Sequence, residues 1–122
     1  MKLSIVLSTQ PAQFQAATFK GDLETNLRDI ATLGYDGVEL AIRDPKLVNL
    51  ANLERLTHSY GLSVPAIGTG QAWGEEGLSF TDPDLEVRRA AIERIKSHVP
   101  VAAHFGAVII IGLIRGIVKP GV

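Results

Sequence analysis

Cysteine is missing altogether, which removes disulfides and thiolate metal sites from consideration. Charge of one sign is missing too: 12 basic residues nearly cancel 13 acidic ones, so no cationic field is on offer to nucleic acid. Long apolar runs are absent. MKLSIVLSTQ holds one lysine and a stretch too brief for a signal-peptide core, so it predicts a first strand instead. Residues 107–114 are apolar but end at Arg115, well short of the roughly 20 residues of a membrane span. Aromatics are scarce at 6%, with Trp73 the one tryptophan. What remains is the composition of a globular chain, expected to be soluble, cytoplasmic and a single domain over residues 1–122, without nucleic-acid or membrane partners.

What is present is a repeat. LGYDGV at 33–38, YGLSV at 60–64 and FGAVI at 105–109 each place a large apolar residue, a glycine and then a β-branched residue in close succession. Gly34, Gly61 and Gly106 suit left-handed helix ends, each followed by a short strand. Before the first, Leu23, Leu27, Ile30 and Leu33 recur at helical spacing behind Asp22 as cap. Before the second, Asn49 caps a segment carrying Leu50, Leu53, Leu56 and Tyr60. Before the third, Asp82 is the expected cap with Pro83 in the first helical position, and Leu85, Ile92, Ile95, Val99 and Ala102 form the expected apolar face. Pro100 falls inside that helix and predicts a bend rather than a break.

The strands expected are Leu3–Leu7, Gly37–Ala41, Ser63–Gly68 and Ala107–Gly112, with Pro65 delaying regular pairing of the third until Ala66. The order, strand–helix–strand–helix–strand–helix–strand, predicts an α/β fold with a parallel sheet and right-handed crossovers. The connections that follow strands one and three are long, and those that follow helices are about three residues. That asymmetry suits the first half of a TIM barrel, whose site lies at the strands' C-terminal ends, although an open doubly wound sheet shares it.

GYDGVELAIRDP at 34–45, IGTGQAWGEEGLSFTDPDLEVRRAAIERIKSHV at 67–99 and FGAVIIIGLIRG at 105–116 resemble the sugar phosphate isomerase/epimerase family. These are the xylose isomerase-like TIM barrels (AP endonuclease family 2), more distantly related to endonuclease IV. The resemblance is to the first half of such a barrel. It implies an isomerase or epimerase that moves a proton next to a sugar carbonyl, with a divalent metal (Mn, Mg or Zn) held by carboxylates and a histidine from later strands. No metal is therefore expected on this chain alone, and activity without the second half is not expected. The resemblance also implies that strand four is buried between the lumen and the helical ring. Val108 to Ile111, each carrying roughly 1.5–3 kcal/mol of burial energy, then require cover from a second copy or a C-terminal half. The partners expected are a sugar or sugar phosphate and either another subunit or the missing half.

Three residues stand out as substrate-binding candidates. Glu39, between Val38 and Leu40 at the end of strand two, could face the lumen and a sugar hydroxyl, or pair with Arg43 or Arg115. Gln71, in the glycine-rich GTGQAWGEEG loop, could hydrogen-bond hydroxyls; Trp73 could stack on a sugar or merely anchor the loop, and Glu75 and Glu76 read as solvated charges. Arg115 in GLIRG could grip a phosphate, with Lys20, Arg43 and Lys119 adding positive charge to the same face. Phe14 and Phe19 could form a lid over the barrel end or pack on it. His58, His98 and His104 read as structural helix residues, two of them near helix C-termini where the dipole favours charge. A non-catalytic half-barrel that self-assembles and binds a phosphorylated metabolite is the alternative function. An endonuclease IV-like nuclease ranks last, since residues 69–71 and 113–115 contain no histidine.

Overall fold

The computed structural model describes residues 1–10, 22–118 and 120. Its elements are β1 (Ser4–Ser8), α1 (Leu23–Thr32), β2 (Gly37–Ala41), α2 (Leu50–Ser59), β3 (Ser63–Gly68), α3 (Gln71–Glu76), α4 (Leu85–Phe105) and β4 (Val108–Ile110), with single 3-10 turns at Pro45–Leu47 and Leu113–Arg115. All pairings are parallel and the sheet order is β1-β2-β3-β4, the chain order. Such sequential parallel pairing is how one wall of a TIM barrel is laid down. It gives no support to the doubly wound alternative, which needs a reversal of strand order. Among the described residues no helix is long and apolar enough to cross a membrane.

Alternation along the strands decides which side chains meet the helices. Leu7, Leu40, Ile67 and Ile109 stand in register across the sheet. The first three are fully buried, and all four pack with Leu27 and Ile30 of α1, Leu53 and Leu56 of α2, and Val101 and Ala102 of α4. The opposite face carries the rows Val6–Glu39–Ala66–Val108 and Ser8–Ala41–Gly68–Ile110. In a closed barrel that face is the lumen.

Helix starts and stops follow local chemistry. Asp22 caps α1 by accepting from the Thr25 amide, and Asn49 caps α2 by accepting from the Asn52 amide at 3.0 Å. α4 ends at Gly106, whose φ of +64° lets its amide reach back to Ala102 and Ala103 carbonyls. Regular pairing of β3 resumes at Ala66 after an irregularity around Pro65, as the sequence predicts.

Several expectations need correction. α4 is capped by Asp84, whose carboxylate accepts from the Glu86 amide, while Asp82 accepts from the Asp84 amide in the turn before it. Pro83 is thus outside the helix. α4 runs through Pro100, but its buried residues are Ala91, His98, Val101 and Ala102; Leu85, Ile92 and Val99 are about half exposed. Leu33 is likewise 67% exposed, because α1 has already ended at Thr32. β1 begins and ends one residue later than expected, and β4 keeps only Val108–Ile110 of the expected Ala107–Gly112. The burial expected of strand four is not met within this chain: Val108, Ile110 and Ile111 are 64%, 37% and 45% exposed.

Candidate functional site at the mouth of the half-barrel

A cavity of about 160 Å³ opens on the lumen face where β2, β3 and β4 end. Val6, Glu39, Ala41 and Gly68 form its floor, Ile110, Gly112 and Leu113 one wall, and Thr69, Gly70 and Gln71 its rim. The strand register brings Glu39 there, with Val6 and Ala66 as its partners on either side. Neither Arg43 nor Arg115 pairs with it: Arg43 binds Glu76 at 3.2 Å, and Arg115 donates to the Gly112 carbonyl at 3.0 Å. Gly68 lies directly beside the carboxylate: a Cβ there would stand 3.4 Å from Glu39 Oε1, in van der Waals contact.

Gln71 opens α3, a short helix in a stretch the sequence predicts as loop. Its side chain is 1% exposed. Gln71 Nε2 donates to Ser8 Oγ at 2.9 Å, and Ser8 Oγ donates in turn to the Gln10 carbonyl at 2.5 Å. Ser8 has one proton and it is used, so the atom facing Ser8 must be the amide nitrogen. Gln71 Oε1 is consequently directed elsewhere, buried and without a hydrogen-bond partner. Buried acceptors are seldom left so, and the side chain that carries this one belongs to the cavity lining. Thr69, also 1% exposed, donates its hydroxyl to the Ile110 carbonyl at 2.7 Å and ties the rim to β4.

A second layer of contacts holds the rim in place. Gln10 Oε1 accepts from the amides of Arg43 and Asp44 at 2.9 and 3.0 Å, and Gln10 Nε2 donates to the Asp44 carbonyl at 2.8 Å. The loops after β1 and β2 are thereby joined. Arg94 of α4 grips Glu76 at the end of α3 through both carboxylate oxygens, at 2.5 and 2.8 Å. It also donates to the Arg43 carbonyl at 2.9 Å and lies 3.6 Å from Asp44. Glu76 is therefore no solvated loop charge: the Arg94 hydrogen bonds hold its carboxyl below the usual carboxylate range, despite a partial burial that opposes this. Arg94 is held above its ordinary value by the same bonds.

The structure thus brings Glu39 and Gln71 together and leaves Arg115 apart. Arg115 is exposed on the 3-10 turn beyond β4 and does not line the cavity. Trp73 points into a different depression, shared with Gly77, Ser79, Thr81, Asp82 and Ile117. Lys20, Phe14, Phe19 and Lys119 lie outside the described residues. Ser8, Gln10, Thr69 and Arg94 were not singled out by sequence reasoning. Strand alternation from Val6 could have placed Ser8 on the lumen face, whereas Arg94 had no local signal, its partners being 18 and 51 residues away.

Of the histidines, His104 pairs with Glu54 across α4 and α2 at 2.8 Å. His98, read from the sequence as a structural helix residue, lies inside α4. It is fully buried with neither ring nitrogen bonded, and burial, reinforced by the nearby Arg94 charge, lowers its pKa to about 4.

The donor set of the cavity does not fit the divalent metal that the fold implies. Glu39 is its one carboxylate, and among the described residues no three His, Asp or Glu side chains gather as ligands could.

A search of the curated proteins returns no match. The family model described as xylose isomerase-like TIM barrel matches residues 27–121, which runs from within α1 through β4 and takes in every strand of the sheet but β1 and the whole cavity rim. With its parallel strands in chain order and its cavity at their C-terminal ends, the chain belongs to the xylose isomerase-like TIM barrel family.

Proposed function

We propose that this chain forms the first half of a metal-dependent sugar or sugar-phosphate isomerase or epimerase, and that it supplies part of the substrate pocket rather than the reacting groups. The observation that carries the reading is that Gln71, whose buried carbonyl has no hydrogen-bond partner, and Glu39 line the same cavity on the lumen face. In a closed barrel Glu39 and Gln71 would accept hydrogen bonds from substrate hydroxyls and orient the sugar, while the apolar walls exclude water. The divalent metal that the family implies would not be held by this chain's described residues. Its ligands, and the base that moves the proton, would come from outside the described residues, so no step is assigned to this chain beyond binding and orientation.

The test is reconstitution. The chain alone, given Mn²⁺ or Mg²⁺ and a panel of pentoses, hexoses and their phosphates, is expected to give no turnover. Joined to the C-terminal four βα units of a family isomerase, it is expected to become active, and Gln71→Leu and Glu39→Gln should each lower kcat/KM at least tenfold. Turnover by the chain alone, or indifference of the joined protein to both substitutions, would overturn the proposal.

The exposed aliphatics of β4 favour a second reading, a non-catalytic half-barrel that self-assembles and binds a phosphorylated metabolite. Arg115, exposed beyond the cavity, would then be its anion contact.

A further inference from the structure

The direction of the Gln71 amide says more about the ligand than its presence does. We infer that the Gln71 subsite selects alcohol hydroxyls of a neutral polyol and disfavours phosphate, a selectivity imposed by the Gln71–Ser8–Gln10 relay. This rests on the same pocket as the function proposed above.

Three polar side chains line the cavity: Glu39, Thr69 and Gln71. An ionised Glu39 only accepts. The Thr69 proton is committed to the Ile110 carbonyl, leaving oxygen lone pairs. Gln71 could in principle offer either end of its amide, but the relay removes the choice. The Gln10 carbonyl can only accept, so Ser8 must donate to it, and Ser8 can then only accept from Gln71. A flipped amide would set Gln71 Oε1 against Ser8 Oγ with no proton between them, two buried oxygens in repulsion. Gln71, which lines the cavity together with Glu39, therefore keeps Oε1 as an unsatisfied acceptor. A phosphate brings oxygens and negative charge to this position and meets acceptors and a like charge. An alcohol brings the missing proton, and its carbons meet Val6, Ala41, Ile110 and Leu113. Any phosphate of the substrate must therefore sit away from Gln71.

The probes are xylitol and inorganic phosphate, titrated into ¹⁵N-labelled chain and read at the Gln71 side-chain amide and the Gly70 backbone amide. Xylitol is expected to shift both signals saturably, phosphate at equal ionic strength to leave them in place, and Gln71→Leu to abolish the xylitol effect while signals remote from the cavity stay put. Ser8→Ala frees the amide to turn. It should narrow the preference for xylitol over phosphate at least threefold, a change in selectivity that a loosened rim alone would not produce. Phosphate shifting the Gln71 amide of the unmodified chain, neither probe shifting it, or Ser8→Ala leaving the preference unchanged would each overturn the inference. Failure here is separable from failure of the isomerase reading: a reconstituted barrel that turns over while phosphate occupies Gln71 refutes only the selectivity. Xylitol binding in a barrel that never turns over refutes only the activity.

Discussion

At the scale of single residues, side-chain chemistry nominated Glu39, chemistry together with the family resemblance nominated Gln71, and both line one cavity. Strand alternation made Glu39 legible, because a carboxylate flanked by Val38 and Leu40 must take the opposite face. His98 was not legible in the same way. Its spacing relative to the other histidines said nothing of the fully buried site between α4 and the loop that carries Asp44. Burial there disfavours the imidazolium, as does Arg94, while Asp44 opposes them. The sign of the consequence follows. Above pH 6.5 both folded and unfolded chains hold His98 neutral, and no cost arises. Between 6.5 and about 4 the unfolded chain takes up a proton that the folded one refuses, so stability falls with falling pH and levels off once the folded state also protonates. The loss is on the order of 3 kcal/mol at most. Glu76, its pKa depressed by Arg94, adds a loss that sets in only through and below the ordinary carboxylate range. His98→Leu should therefore be at least as stable as the parent at pH 7 in urea unfolding, since no buried nitrogen is left unpaired. It should also lose much less stability between pH 7 and 4.5. An unchanged slope in that window would refute the assignment.

At the scale of elements, the existence of α1, α2, α4 and all four strands could be read from apolar period and glycine punctuation. Their edges could not always be. TDPD offers two aspartates two residues apart, and proline's preference for the first helical turn pointed to the earlier one. The structure uses Asp82 to tighten the turn and Asp84 to cap the helix, with Arg88 donating back to the carbonyls of Asp82 and Pro83. α3 was hidden by two glycines among its neighbours and one within it, and owes its place to tertiary contacts: the Gln71 relay at its start and Arg94 on Glu76 at its end. The cap assignment has a direct test by thermal unfolding. Asp84→Ala should cost about 1 kcal/mol, and Asp84→Asn, which keeps an acceptor, only a fraction of that. A larger loss from Asp82→Ala than from Asp84→Ala would restore the first reading.

At the scale of the whole molecule, the question is what adjoins the open side of the sheet. β4 pairs with β3 alone, and its lumen-facing Val108 and Ile110 are exposed. α4 adds a stripe that the sequence had assigned to the core: Leu85, Ile92 and Val99, seven residues apart and about half exposed. The ion pair between His104 and Glu54 fixes which flank of α4 faces α2. Val99 lies five residues from His104, about 140° round the helix at 3.6 residues per turn, and the stripe therefore borders the opposite flank. In a complete barrel that flank meets the helix that follows β4. A second copy placed edge to edge would bring β1 against β4 but no helix to this position, because α1 lies on the far side of β1. If the chain forms the first half of a barrel as proposed, the expected cover for the stripe is a helix from a complementary half-barrel rather than a second copy. The isolated chain is expected to associate loosely, with a sedimentation mass that rises above 13.1 kDa with concentration and never settles at a discrete dimer. Ile92→Glu with Val99→Lys should return it to the monomer mass while shifting the melting temperature by no more than a few degrees, since half-exposed side chains contribute little to the folded chain itself. A tight dimer of fixed mass, unaffected by the pair of substitutions, would mean that two copies close the barrel after all.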